Sequence, residues 1–250
     1  MDIIKKLAQE LTIKEEQAKA AVQLIDEGNT IPFIARYRKE MTGALNDETL
    51  RNLHERLLYL RNLEEKKEQV INAITEQGKM TDDLKKKILA AETLVAVDDL
   101  YRPYRPKKQT RATKAKEKGL EPLANILLLQ ATSKSMEEEA QSFVDEAKGV
   151  TNAKEALAGA KDIIAEMIAD KADYRKSIRN CTMKQGRLVV KAKDEKAESV
   201  YEMYYDFSEE LSKITGYRVL AINRGEKEKF LTVKVEAPDA QIVNALNKTM

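Results

Sequence analysis

The chain has 250 residues, enough for one large domain or two smaller ones with a proper core. Charged residues make up 34% and aromatics 5%, tryptophan is absent, and the lone Cys181 and His54 exclude an internal disulfide and a zinc site built from His and Cys. The 44 lysines and arginines nearly balance 42 acids, for a net charge of +2, and no apolar run reaches membrane-span length. The expectation is a cytoplasmic protein of amphipathic helices.

Residues 2–11 and 14–28 read as two short helices. Ile3, Leu7 and Leu11 line one face of the first, and Ala18, Ala21, Val22 and Ile25 line the second. The first carries acids within its amphipathic pattern and is not a signal peptide. Gly28, Asn29 and Thr30 close the second helix and cap a third over residues 32–39, the outline of a helix-turn-helix. That third helix ends on Arg36, Arg38 and Lys39 but opens on Ile31, Pro32 and Phe33, where a DNA reader needs base-contacting side chains. A packing motif is the better reading. After a turn at 41–45, Asn46 caps a long helix running to Gln77. Leu50, Leu53, Leu57, Leu60 and Leu63 follow the spacing of a two-helix seam. Charge at 64–68 interrupts the seam and predicts a solvated middle, before Val70, Ile71 and Ile74 resume it. His54 reads as a packed or surface residue. Thr81, Asp82 and Asp83 open the next helix, whose Leu84, Ile88 and Leu89 pack back on the long one.

Beyond Gly119 come a helix through Leu129, an acidic helix near 136–148 and, from Asn152, a helix with Leu157, Ala160, Ile164 and Met167 on one face. Asp162, Glu166 and Asp170 share the other face. Such regular acids read as the wet side of a helix, neutralised by Lys161, Lys171 and Arg175, and no metal site is assigned. Residues 171–182 read as helix, 186–191 as strand, and the stretch with Val200, Tyr201, Tyr204 and Tyr205 as helix. Residues 217–225 fit strand or helix, with Gly225 as a helix stop, and Phe230, Thr232, Val233 and Val235 alternate as a strand. The last helix starts at Ala240, and the pattern stops mid-helix, as in the N-terminal part of something longer.

The fold class is therefore mainly α. It comprises a helix-turn-helix-like unit (1–45), a long helical hairpin (46–97), a basic segment (98–118) and a second helical subdomain (119–250) with a small β element near residues 186–191 and 229–236. All nine glycines are isolated, so no phosphate-cradling loop exists, and no nucleophile–base set can be assembled. Neither an enzyme nor a cofactor is expected.

The basic segment is the outstanding feature. Between residues 98 and 118 eight cations face three acids, a local net charge of +5. Pro103 and Pro106 fix φ, remove two donors and push Arg102 and Arg105 toward extended backbone, which predicts a non-helical stretch. Tyr101 and Tyr104 recur at the prolines' spacing. Stackable rings among Arg102, Arg105, Lys107, Lys108, Arg111 and Lys114 suit a phosphate backbone and unstacked bases, with Arg36, Arg38 and Lys39 as a further cationic set. The same residues also suit a strap whose tyrosines pack on helices and whose arginines pair with carboxylates.

Three segments, in order and spacing, resemble the N-terminal region of the bacterial transcription accessory family Tex. They are TIPFIARYRKEMTGAL at 30–45; DLYRPYRPKK at 99–108, with TRA at 110–112 and KGLEPLA at 118–124; and VYEMYYDF at 200–207, with RVLAINRG at 218–225. The resemblance covers essentially the whole chain. It implies a helical, nucleic-acid-associated region with a helix-turn-helix-like unit and a long helix, related in architecture to a eukaryotic elongation factor and histone chaperone. Partners implied are RNA or DNA, bound weakly by this portion alone, and the transcription machinery. In the family, ribonuclease-H-like, helix-hairpin-helix and S1 domains follow, and the S1 domain carries most RNA affinity. Thr215, Gly216 and Tyr217 depart from the Pro-Ser-His usual before that arginine. The family's element there is helical, which favours helix for 217–224.

Overall fold

Helix caps and apolar periodicity set most of the element boundaries in the computed structural model, which describes residues 2–106, 108–130 and 133–249. The described residues form thirteen α-helices and one three-stranded sheet, a mainly α fold. The chain divides into two compact units, one ending at Pro106 and one comprising the residues after it.

In the first unit, α1 (Ile3–Leu11), α2 (Glu15–Asp26) and α3 (Ile31–Tyr37) precede the thirty-residue α4 (Asp47–Glu76). Asn46 caps α4 by accepting from the Thr49 amide at 2.7 Å, with Asp47 and Glu48 at the positive end of the helix dipole. Leu50, Leu53, Leu57, Leu60 and Leu63 are all buried, and Leu7, Leu24 and Ile34 from the short helices join them in one core. Two bidentate ion pairs tie the short helices to the rod. Arg56 donates to Glu10 at 2.5 and 2.8 Å, and Arg61 to Asp26 at 2.7 Å through both nitrogens. The guanidinium hydrogen bonds hold both carboxyl groups below their ordinary titration range.

The rod's middle is solvated on its outer face, at Glu65 and Glu68, but not along the seam. Lys67 is 2% exposed, and its ammonium donates to Glu64 at 2.8 Å and to the Leu89 carbonyl at 2.9 Å. A lysine stem is long and apolar enough to continue the seam while its head finds partners. Leu89 sits at the end of α5 (Asp82–Ala90), which Thr81 caps through the Leu84 amide. Ile88 enters the core, whereas Leu89 stays half exposed and contributes its carbonyl instead of its side chain. The chain then reverses into α6 (Leu94–Tyr101), whose first amide donates to the Tyr59 hydroxyl.

Two expectations for the basic segment are overturned here. Arg102–Tyr104 forms a 3-10 turn, with Arg102 at φ −52°, ψ −42°, and Arg111–Glu117 is α-helix (α7). Pro103 falls in an opening turn, where no amide donor is required, so it starts a turn without breaking one. Only Arg105, at φ −66°, ψ 132°, is extended as its following proline demands.

In the second unit, α7, α8 (Glu121–Leu129) and α9 (Met136–Gln141) pack around α10 (Ala153–Asp170). The acidic helix expected over 136–148 ends at Gln141, and Asp145 caps a separate 3-10 turn. Ala112 and Ala115 of α7 meet α10 beside Gly159, where an added Cβ would lie 3.2 Å from Ala115 and 2.4 Å from Leu120. The close approach requires glycine. The acids of α10 are therefore no wet face. Asp162 pairs with Arg111 at 3.5 Å, Glu166 accepts from Thr110 at 3.0 Å, and Asp170 is buried, while Met167 is turned outward.

The unit continues with α11 (Ala172–Gln185), β1 (Arg187–Ala192), β2 (Asp206–Glu210), α12 (Gly216–Lys227), β3 (Leu231–Glu236) and α13 (Asp239–Asn247). Strand order is β2-β1-β3, all antiparallel, with Val190 opposite both Phe207 and Val233. The helix expected around Val200–Tyr205 is only a 3-10 turn, Glu202–Tyr204, before the unforeseen β2. Residues 216–227 are helix, and Gly225 lies inside it rather than ending it. A Cβ there would meet Leu231 at 2.6 Å and Tyr201 at 3.1 Å, so the glycine lets α12 lie down on the sheet.

Leu57→Ala should lower unfolding stability by about 2–5 kcal/mol, as full burial of a leucine requires. Lys67→Ala should cost at least about 2 kcal/mol, because it empties a buried position and leaves the Leu89 carbonyl without its donor, whereas Lys66→Ala should cost less than about 1 kcal/mol. Urea titrations of the three variants check this ordering. The Glu10 and Asp26 pairs add an acid dependence. Their stabilisation is complete above the unfolded carboxyl pKa, about 4, and is lost as pH falls through the lowered folded values. Arg61→Met should therefore flatten the acid limb of the stability curve.

Candidate nucleic-acid interface

The basic residues singled out in the sequence fall into three groups. The first lies at the end of α3, with Arg36 in the helix and Arg38 and Lys39 just past it. Arg36 and Lys39 are exposed and form no ion pair with a described residue, and the Arg38 guanidinium lies 5.3 Å over the Phe33 ring. Phe33, assigned to packing by the sequence reading, is not in the core. It is 36% exposed, Ile34 alone of this helix is buried, and Tyr37, one helical turn on, is 61% exposed. The two rings tilt at 47° with centroids 5.3 Å apart. The sequence reading gave Phe33 to packing and passed over Tyr37, although the i, i+4 aromatic spacing among arginines was there to be read.

The second group closes the first unit. Tyr101 and Tyr104 are half-buried against the helical core, and the Tyr104 carbonyl accepts from Gln77 at 3.0 Å. Arg105 covers the Tyr101 ring at 5.6 Å and pairs with Asp98 at 3.2 Å, while Lys66 approaches the same carboxylate at 3.6 Å. Arg102 is exposed. The two unit-one groups are not brought together. The first turns of α3 share a cleft of about 530 Å³ with Arg51, the half-buried His54 and Glu55 near the start of α4, whereas Tyr104 meets Gln77 at its far end. At 1.5 Å per residue, roughly 35 Å separates them.

The third group belongs to the second unit. Lys108, Arg111 and Lys114 are exposed, the last two on α7 opposite the alanines that bury against α10. Arg111, 87% exposed, holds Asp162 only loosely, and Lys108 and Lys114 pair with no described residue. Lys118 is committed to the Gly149 carbonyl at 2.7 Å and Lys116 to Glu121 at 3.4 Å. Lys107 lies outside the described residues. Among the described residues no three His, Cys, Asp or Glu side chains gather to hold a metal, and no helix is long and apolar enough to cross a membrane.

The fold and these surfaces define a mainly helical protein of two units that carries its cations on outward helix faces. Residues 1–75 match the family described as the Tex-like protein N-terminal domain, and residues 131–249 match the Tex central region. The chain belongs to the Tex family and carries that family's N-terminal domain and central region. It is 44% identical over 245 residues to YdcI of Bacillus subtilis, covering 97% of this chain and 34% of that protein. It is 41% identical over 239 residues to the transcriptional accessory protein Tex of Neisseria gonorrhoeae, covering 94% and 31%. With the human S1 RNA-binding domain-containing protein 1 it shares 32% over 248 residues, covering 95% and 24%. The chain thus spans about a third of its bacterial relatives' length and a quarter of the human one's.

Tyr104→Ala should lower the melting temperature by several degrees, since the ring is half-buried on the core. Arg102→Ala, at an exposed position, should leave it nearly unchanged, and a thermal melt of both variants separates packing from surface chemistry.

Proposed function

We propose that this chain is a nucleic-acid-contacting module of a Tex-family transcription accessory protein. It is a non-enzymatic part, without cofactor, working in the cytoplasm. Separate contacts are made by Lys108, Arg111 and Lys114 on one unit and by Arg102 and Arg105 on the other, with Lys107 between them in sequence. One observation carries the reading. The described cations of the basic segment remain at the surface, while alanines and tyrosines beside them do the packing. Exposed pairs such as Arg111–Asp162 are worth little in water and can be exchanged for a phosphate. A relative named for transcription and another named for RNA binding support the same class of partner. Affinity for RNA or DNA is weak for this portion alone.

The second reading is a helical scaffold that positions nucleic-acid-binding domains and docks on the transcription machinery. The half-buried Tyr101 and Tyr104 and the Arg105–Asp98 pair favour it at the end of the first unit.

Salt dependence separates the two. Each single-strand phosphate neutralised contributes a slope of about −0.7 in log affinity against log salt. Reversing Lys108 and Lys114 to Glu should weaken binding to all sequences alike and flatten the slope by about 1.4. An unchanged slope in that double variant, measured by fluorescence anisotropy on single-stranded RNA, would rule out the basic-segment contact and favour the scaffold reading of that segment.

A further inference from the structure

The α3 group differs in kind from the other two, because it offers an open aromatic face together with its cations. Tyr37 is the most exposed ring of the first unit at 61%, and its neighbours hold it in place: Phe33 lies against it at 5.3 Å, and Arg38 closes over Phe33 at the same distance. Phe33 supports the tyrosine on one side and leaves the rest of the ring open. Arg36, Arg38 and Lys39 flank it in the sequence, against the single acid Glu40, so the local charge is positive. Met41, 52% exposed, follows in the turn beyond. A flat π-face, a guanidinium plane and unpaired cations within two helical turns answer to one ligand chemistry: an unstacked base flanked by phosphates. A duplex hides its base faces and offers phosphates alone.

We infer that Tyr37, backed by Phe33 and Arg38, is a stacking platform for an unpaired base of single-stranded RNA or DNA, with Arg36 and Lys39 taking the flanking phosphates. The platform uses none of the residues assigned to the basic segment, so either site can fail without the other. Its specificity is for strandedness and not for sequence, because every base has a π-face.

The test uses the whole chain with an RNA of about twelve nucleotides carrying one 2-aminopurine, and the matching duplex as control. The chain lacks tryptophan, which leaves the 2-aminopurine signal clean. Wild type should quench the probe on binding. Tyr37→Ala should weaken single-strand affinity roughly 5- to 100-fold, abolish the quenching and leave duplex affinity within about twofold. Tyr37→Phe should retain both affinity and quenching. The thermal melt should not move in either variant, given the exposure of the site. Three results overturn the inference: wild-type affinity in Tyr37→Ala, an equal loss on duplex and single strand, or no single-strand binding by the wild type. Capture of a protein partner that depends on Tyr37, with RNA affinity intact, also overturns it. If Lys108 and Lys114 reversal leaves the salt slope unchanged while Tyr37→Ala weakens binding as expected, the basic-segment reading fails and this one stands.

Discussion

The ammonium of Lys67 holds the first unit together at its least obvious point. It occupies the position in the α4 seam where a leucine would continue the pattern, yet it must keep its charge satisfied inside the core. It does so with one carboxylate from its own helix and one backbone carbonyl from the end of α5. That carbonyl belongs to a helix C-terminus, where partial negative charge accumulates and a cation is favoured. The contact sets where α5 ends along the rod. The position of α5 sets where α6 begins, and α6 delivers Tyr101, Tyr104 and Arg105 to the far end of α4. A hydrophobic residue at 67 could fill the space but could not register the two helices so narrowly. Removing the Glu64 carboxylate would leave the buried ammonium with a carbonyl alone, which makes the arrangement intolerant of partial change.

The rest of the first unit was legible where periodicity and caps agreed. Asn46, Thr81 and the leucine steps from Leu50 to Leu63 name their own structure, because each is a local rule obeyed without competition. Legibility failed where one residue type serves two purposes. Lys67 reads as solvent-facing because lysine usually is. Pro103 reads as a breaker because its place in the turn decides the matter and cannot be seen in the residue. Gly225 looks like a stop signal when it is a contact surface, and only the position of Leu231 and Tyr201 in space reveals this. The strand Asp206–Glu210 carries three acids in five residues, which hides its β character, and it exists because β1 offers it a partner. For the candidate interface, the cations of α7 could be placed outside once the alanine pairing is known. The tyrosines could not, since a ring beside a proline packs or protrudes according to what lies beneath it.

The distribution of ion pairs also sorts the charged surface by purpose. Arg56 and Arg61 make bidentate contacts that bridge helices distant in sequence and are part of the frame. Lys116 and Lys118 are bound to their surroundings in the second unit. Arg36, Lys39, Lys108 and Lys114 hold nothing described, so their side-chain entropy has not yet been spent and any anionic partner must order them. Such residues favour fast encounter and modest affinity over tight, slow complexes.

The thirty-residue α4, between the α3 rings and the Tyr101–Arg105 group, would act as a ruler for any strand that touched both. Such a strand would have to bridge roughly 35 Å, about ten nucleotides if its bases stay stacked at about 3.4 Å each and fewer if it is extended. Shorter oligomers would engage one end at a time and gain nothing from the other. Longer ones would convert the second contact into an intramolecular event with its own effective concentration. Length discrimination of this kind needs no base-specific contact at all, only a helix that does not bend.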